Sequence, residues 1–184
     1  MRAMESLVKK ALSDALIALC ETKPINQISI QNIVDKCGIS RQTFYRYFRD
    51  KYDLMNYLYM LELDYNVALY EKCEDGLKCI FLHLFEHFRE HKKYYMMVCK
   101  EEAQNGLIES IYKLNSEACI ARYREKYGSD SVDEYIRLMI DFKCSGEAEL
   151  IKNWVNSGMK AEPPVIAEAI VESINPLLRG LFND

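Results

Sequence analysis

Apolar residues recur at spacings of three and four along almost the whole chain, the period of an α-helix with one buried face. Near the N-terminus Val8, Leu12, Ala15, Leu16 and Leu19 fall on one such face, and Pro24 marks where that helix stops. Ile30, Ile33 and Val34 make the apolar face of a second, shorter helix. Ser29 is placed to cap it through its hydroxyl, and Gly38 to end it in the left-handed conformation. Ser40 is a second cap, ahead of a segment from Arg41 to Phe48 in which Phe44 and Phe48, four apart, share the inward face. Asp50 then opens a long helix through Leu54, Leu58, Leu61, Tyr65 and Leu69. Further helices are predicted over 75–91, 94–102, 106–126, 132–156 and 163–181. Pro163 and Pro164 suit a helix start, and Pro176 should kink or end the last helix. The expected fold class is all-α.

Two short helices joined through Cys37-Gly38-Ile39 fit a helix-turn-helix, whose DNA-binding version lays its second helix in the major groove. With Phe44 and Phe48 as anchors, Arg41, Gln42, Thr43, Tyr45 and Arg46 are left for the open faces. Arg41 and Gln42 lie at the N-terminal end, where arginine can pair with guanine and glutamine with adenine. Thr43 suits a thymine methyl group or a phosphate. Tyr45, Arg46 and Tyr47 suit phosphate contacts that fix register. Ser29 and Gln31 start the preceding helix, where backbone N–H groups can hold a phosphate. Ser40 caps the reading helix, and Lys51 is placed to reach the DNA backbone from the next one.

Charge sharpens this picture. The whole chain carries a formal charge of -4 over 184 residues, but residues 1–52 carry +4 and the remainder -8. A basic N-terminal module on an acidic body fits phosphate binding by the first part. A 49% hydrophobic composition allows a sizeable core. Neither a signal peptide nor a membrane-spanning run is apparent, so the expected location is cytoplasmic, with no membrane partner. The seven cysteines, at 20, 37, 73, 79, 99, 119 and 144, form no Cys-x-x-Cys pair and read as reduced thiols used as small hydrophobes.

The stretch from Ile28 to Leu54 resembles the tetracycline repressor (TetR) family of bacterial regulators. The family pattern is matched at Ser29, Ile33, Gly38, Ser40, Thr43, Tyr45, Phe48, Lys51 and Leu54, and Tyr47 is also common at its position. Val34 and Cys37 stand where the family usually has small residues, and Gln42 where it often has glycine. Gln42 adds a polar group at the DNA-facing end, so the base sequence read does not carry over. Trp154-Val155-Asn156-Ser157-Gly158-Met159, followed by Pro163, is similar to the subgroup resembling the dihydroxyacetone kinase operon regulator. The resemblance implies an N-terminal three-helix DNA-binding domain, expected over 1–52. It also implies a C-terminal helical effector-binding and dimerisation domain, expected over 53–184. The implied function is a ligand-responsive repressor that binds double-stranded DNA at a palindromic operator as a homodimer. A co-regulator acting through a protein partner, or a metal-responsive regulator, is the alternative.

Weaker patterns lie in the C-terminal part. Its aromatic and methionine residues can line an apolar pocket for a small-molecule effector, with Tyr65, Phe85, Tyr112 and Phe142 as candidates from their central helix positions. Ile136, Met139, Ile140, Leu150, Ile151 and Trp154, then Ile166, Ala169, Ile170, Ile174, Leu177 and Leu178, are expected to pair with a second copy. His83, His87 and His91 repeat every four residues; His83 and His87 are the metal candidates, against a default of no metal and no cofactor. No phosphate-cradling glycine loop, Gly-x-Ser-x-Gly elbow or His-Glu-x-x-His motif is present, so no enzymatic activity is expected.

Overall fold

The computed structural model describes residues 2–70, 76–100 and 106–182, and side chains within these except at 2–3 and 64–70. Every regular element among the described residues is helical. The first three helices are α1 (Arg2–Cys20), α2 (Ile30–Cys37) and α3 (Arg41–Tyr47), with a 3₁₀ turn at Ile25–Gln27 between α1 and α2. The long α4 (Lys51–Tyr70) follows, then α5 (Gly76–Glu90), α6 (Lys92–Val98), α7 (Leu107–Tyr127) and α8 (Glu134–Asn156). The chain closes with α9 (Pro163–Ser173) and α10 (Pro176–Arg179).

The helix ends follow from local chemistry. Ser29 and Asn32 cap α2 reciprocally: the Asn32 N–H donates to Ser29 Oγ at 3.1 Å, and the Ser29 N–H to Asn32 Oδ1 at 3.0 Å. Gly38 ends α2 at φ 68°, a conformation that costs glycine little. Ser40 Oγ accepts from the Thr43 N–H at 3.1 Å and starts α3. Asp50 Oδ1 accepts from the N–H groups of Tyr52 and Asp53 at 2.8 and 2.9 Å and starts α4. Pro176 ends α9 rather than bending it, and the chain restarts as the short α10. The segment expected over 94–102 begins earlier, at Lys92, and its helix ends at Val98; 101 and 102 lie outside the described residues.

A continuous core joins the N-terminal helices to the rest. Leu12, Leu16, Ile33, Phe44 and Leu54 are fully buried, and the same cluster runs on through Tyr59, Phe85, Ile140 and Ile170. α4 packs against α1 at one end and against α5 and α7 further on, while α6 packs against both α1 and α8. Only part of the pairing surface expected on the last helices faces outward, with Leu150 and Leu177 at 40% and 47% exposure. Ile136, Ile140, Ile151, Trp154, Ile166 and Ile170 are buried within the protomer, so those side chains are not the surface that meets another chain. α8 has a second apolar face, on which Tyr135, Leu138 and Phe142 are 65%, 61% and 84% exposed.

The end of α8 explains the Trp154–Met159 stretch. Gly158 and Met159 both take positive φ, 82° and 55°, and turn the chain sharply. The indole N–H of Trp154 then donates to the Ala161 carbonyl at 2.9 Å and pins the turn to the helix. The thiol expectation holds for Cys20, Cys37, Cys99, Cys119 and Cys144, which are free. It fails at Cys79, which is disulfide-bonded. Burial pushes the Cys20 and Cys99 thiols up to about 12, as expected of apolar packing.

Candidate nucleic-acid interface

α3 presents two different faces. Phe44 is fully buried and Phe48 nearly so, with ring centroids 5.9 Å apart. Phe48 also packs 5.3 Å from the Tyr57 ring of α4, which locks the short helix onto the long one. Arg41, Gln42, Tyr45 and Arg46 are exposed on the opposite side, Thr43 and Tyr47 are half-buried, and Ser40 at the cap is exposed. Seven residues do not make a stable helix alone, so this orientation rests on the Phe44 and Phe48 anchors.

The exposed side chains are partly ordered before any partner arrives. The Arg41 guanidinium lies 5.9 Å from the Tyr45 ring centre and donates to the Tyr45 hydroxyl at 3.4 Å. Thr43 Oγ1 lies 2.9 Å from Ser40 Oγ, so the threonine hydroxyl is shared with the cap. Tyr47 turns toward α1, where the Lys9 ammonium sits between the Tyr47 and Tyr57 rings at 5.7 and 5.4 Å. Its ion pair with Glu5 raises the Lys9 pKa against the opposing effect of burial.

On α2, Ser29 and Gln31 are exposed at the first turn, beside backbone N–H groups of the kind that bind anions. The Gln31 amide is held by Asp35 at 2.6 Å, and Asn32 also accepts from Lys23 Nζ at 3.0 Å. Lys51 behaves differently from its sequence reading. Its ammonium donates to the carbonyls of Ile25, Asn26 and Ile28 at 2.6, 3.2 and 2.9 Å, so it ties the 3₁₀ turn to the start of α4. Nothing in the local spacing signals this long-range role.

Among the described residues, the candidates Phe85, Tyr112 and Phe142 are not brought together. Phe85 is fully buried against Phe81, Phe88 and Trp154. The Tyr112 hydroxyl donates to Asp141 Oδ1 at 3.2 Å, Phe142 stands on the exposed face of α8, and the Tyr65 side chain lies outside the described residues. A half-open pocket of about 190 Å³ lies elsewhere, lined by Tyr59, Leu77, Phe81, Leu114 and Cys119. Its polar feature is a buried ion pair at 2.7 Å between Lys143 and Glu147. Burial acts to lower the Lys143 pKa, but Glu147 and the two neighbouring cysteines outweigh it and hold the ammonium charged. Asn115 donates to the second Glu147 oxygen at 3.4 Å.

The histidines divide as well. His83 faces Glu86 at 3.3 Å on its own helix. His87 pairs with Glu62 of α4 at 3.2 Å and stacks near His91, ring centroids 4.6 Å apart. Burial, aided by the His91 imidazole, pushes the His87 pKa down to about 4, so the ring is neutral near pH 7.

A short helix held by two buried phenylalanines, with arginine, glutamine and tyrosine turned outward beside a capped companion, defines a helix-turn-helix transcriptional regulator. The chain belongs to the tetR family of bacterial regulatory proteins: that family's description matches residues 12–58, and a transcriptional regulator C-terminal region matches residues 75–176. Regulators of this family are DNA-binding proteins rather than enzymes. Among solved structures, the fold is similar to the dihydroxyacetone kinase operon activator DhaS, with a TM-score of 0.60, 16% identity and 94% of each chain covered. It is similar to the fatty acid degradation regulator FadR from Bacillus halodurans to the same TM-score, with 18% identity over 93% of this chain and 97% of that one. No curated protein sequence matches the chain.

Proposed function

We propose that the protein is a ligand-responsive repressor that binds a palindromic DNA operator as a homodimer. The observation that carries the reading is the outward face of α3, where Arg41, Gln42, Tyr45 and Arg46 are exposed while Phe44 and Phe48 anchor the helix. On this reading the DNA-binding domain spans 1–52 and the effector-binding and dimerisation domain 53–184. Arg41 and Gln42 read base edges from the N-terminal end of the helix. Ser29, Gln31, Ser40, Thr43 and Tyr45 meet phosphates or flank them, and Arg46 adds charge along the backbone. Tyr47 and Lys51 act chiefly by holding α3 and α4 in place.

The second copy docks on the exposed apolar face of α8. Tyr135, Leu138 and Phe142, spaced three and four apart, make one stripe, continued by Leu150 at 40% exposure. A two-fold axis through that stripe repeats α3 about one DNA turn away, which is why the operator is palindromic. The effector occupies the cavity beside Lys143 and Glu147, which is smaller than a usual ligand site and so takes a small molecule or widens on binding. A cytoplasmic location accords with DNA binding and with the finding that no described helix is long and apolar enough to cross a membrane.

A gel shift with DNA from upstream of the protein's own coding region, run at several salt concentrations, tests the reading. Binding should weaken as salt rises, because bound phosphates release counterions. Absence of a sequence-preferring complex with that DNA and with sequences selected from a random pool would overturn it.

A further inference from the structure

We propose that His87, Glu90 and His91 form a binding site for a late first-row transition-metal dication at the C-terminal end of α5. One ligand atom from each of the three lies within 4.8 Å of those of the other two. His87 and His91 stand one helical turn apart, with the His91 N–H donating to the His87 carbonyl at 3.1 Å, so the backbone fixes their spacing. That spacing places both imidazoles over one patch of surface, an arrangement that chelates such ions. Glu90 is exposed and can swing in to complete a three-ligand face, with water in the remaining position.

Glu62 supplies the orienting group. Its carboxylate, on the neighbouring α4, lies 3.2 Å from His87 Nδ1. The tautomer that carries its proton on Nδ1, toward Glu62, leaves the Nε2 lone pair of His87 for a cation. A carboxylate behind a ligating histidine fixes ring orientation and raises its basicity. The end of α5 also favours positive charge, because its last carbonyls carry the negative pole of the helix. Two neighbouring cationic side chains are committed elsewhere: Arg89 to Glu162, and Lys92 to the Gly158 carbonyl at 2.6 Å. The donors are imidazole and carboxylate without thiolate, which suits cobalt, nickel and zinc over magnesium or calcium. The site is independent of the operator reading, and its test needs no DNA.

Titration of the full chain with cobalt(II), followed by calorimetry and visible absorption, tests the site. The expected result is one equivalent per chain, with ligand-field bands and no thiolate charge-transfer band. His91→Gln should weaken binding by more than about tenfold by removing a ligand, and Glu62→Gln by about tenfold through loss of ring orientation. Magnesium at the same concentration should give no saturable signal. Circular dichroism establishes that each variant is folded, and His87→Gln serves as a second ligand variant. No saturable cobalt binding, binding unchanged in His87→Gln and His91→Gln, or a dominant thiolate band would overturn the proposal.

Discussion

The Lys51 ammonium donates to the carbonyl oxygen of Ile25 at 2.6 Å across 26 residues of sequence. With Asn26 and Ile28 also accepting, one side chain gathers the carbonyls of the 3₁₀ turn against the first turn of α4. Hydrogen bonds to charged groups contribute about 1.5–3 kcal/mol each when a partner is lost, and the three share one donor. Lys51→Ala should therefore destabilise folding by about 2–3 kcal/mol, measured by urea unfolding. Its loss of DNA affinity should track that destabilisation and fall equally on all sequences.

Arg41 and Gln42 should behave in the opposite way. Both are exposed, so alanine at either should change unfolding free energy by no more than about 0.5 kcal/mol. Each should cost about 1–3 kcal/mol of operator binding and relax preference at particular base positions. Selection from random DNA with each variant separates this from a uniform loss. Arg41→Ala also releases the Tyr45 hydroxyl from its 3.4 Å contact, so its effect should extend to the neighbouring position.

Phe142 tests the dimer face. At 84% exposure its ring contributes little to the protomer's own core. Phe142→Glu places a charge in the proposed contact between copies, where an unpaired buried charge is costly. Light scattering should give a protomer-sized mass, with operator affinity falling sharply and helical content retained. A variant that keeps the wild-type mass would place the contact elsewhere.

His87 gives the protein a pH dependence whose sign follows from its lowered pKa. The folded chain keeps the ring neutral down to about pH 4, whereas the unfolded chain takes up a proton near 6.5. Stability is thus fully present above about pH 6.5 and is lost as pH falls toward 4. At pH 5 the loss is about 2 kcal/mol at most. Denaturant unfolding at pH 7 and pH 5 measures it, and His87→Gln should narrow the difference.

The reading helix was legible because its determinants are local. Ser29, Gly38, Ser40 and Asp50 each act within a few residues of themselves, and Phe44 and Phe48 share a face by spacing alone. Pro176 likewise acts on the turn that contains it. What was not legible depends on the third dimension. α8 is apolar on two sides, with Ile136 and Ile140 buried and Tyr135, Leu138 and Phe142 outward, and periodicity does not say which side meets its own protomer. Lys51 reaching Ile25 and Glu62 reaching His87 join separate helices, and no spacing rule encodes either. Phe85 was not legible for the same reason: central position in a helix says nothing of which way a ring points, and this ring points into the core.

α4 carries Leu54 in the packing beneath the reading head and Tyr59 in the wall of the cavity, with unbroken helix between them. Five residues of helix span about 7.5 Å and bend little. Tyr59 and Leu54 therefore move as two points on one lever. On the proposed reading, whatever pushes the tyrosine outward swings the leucine, and with it the angle at which the short helices of the two copies straddle the duplex.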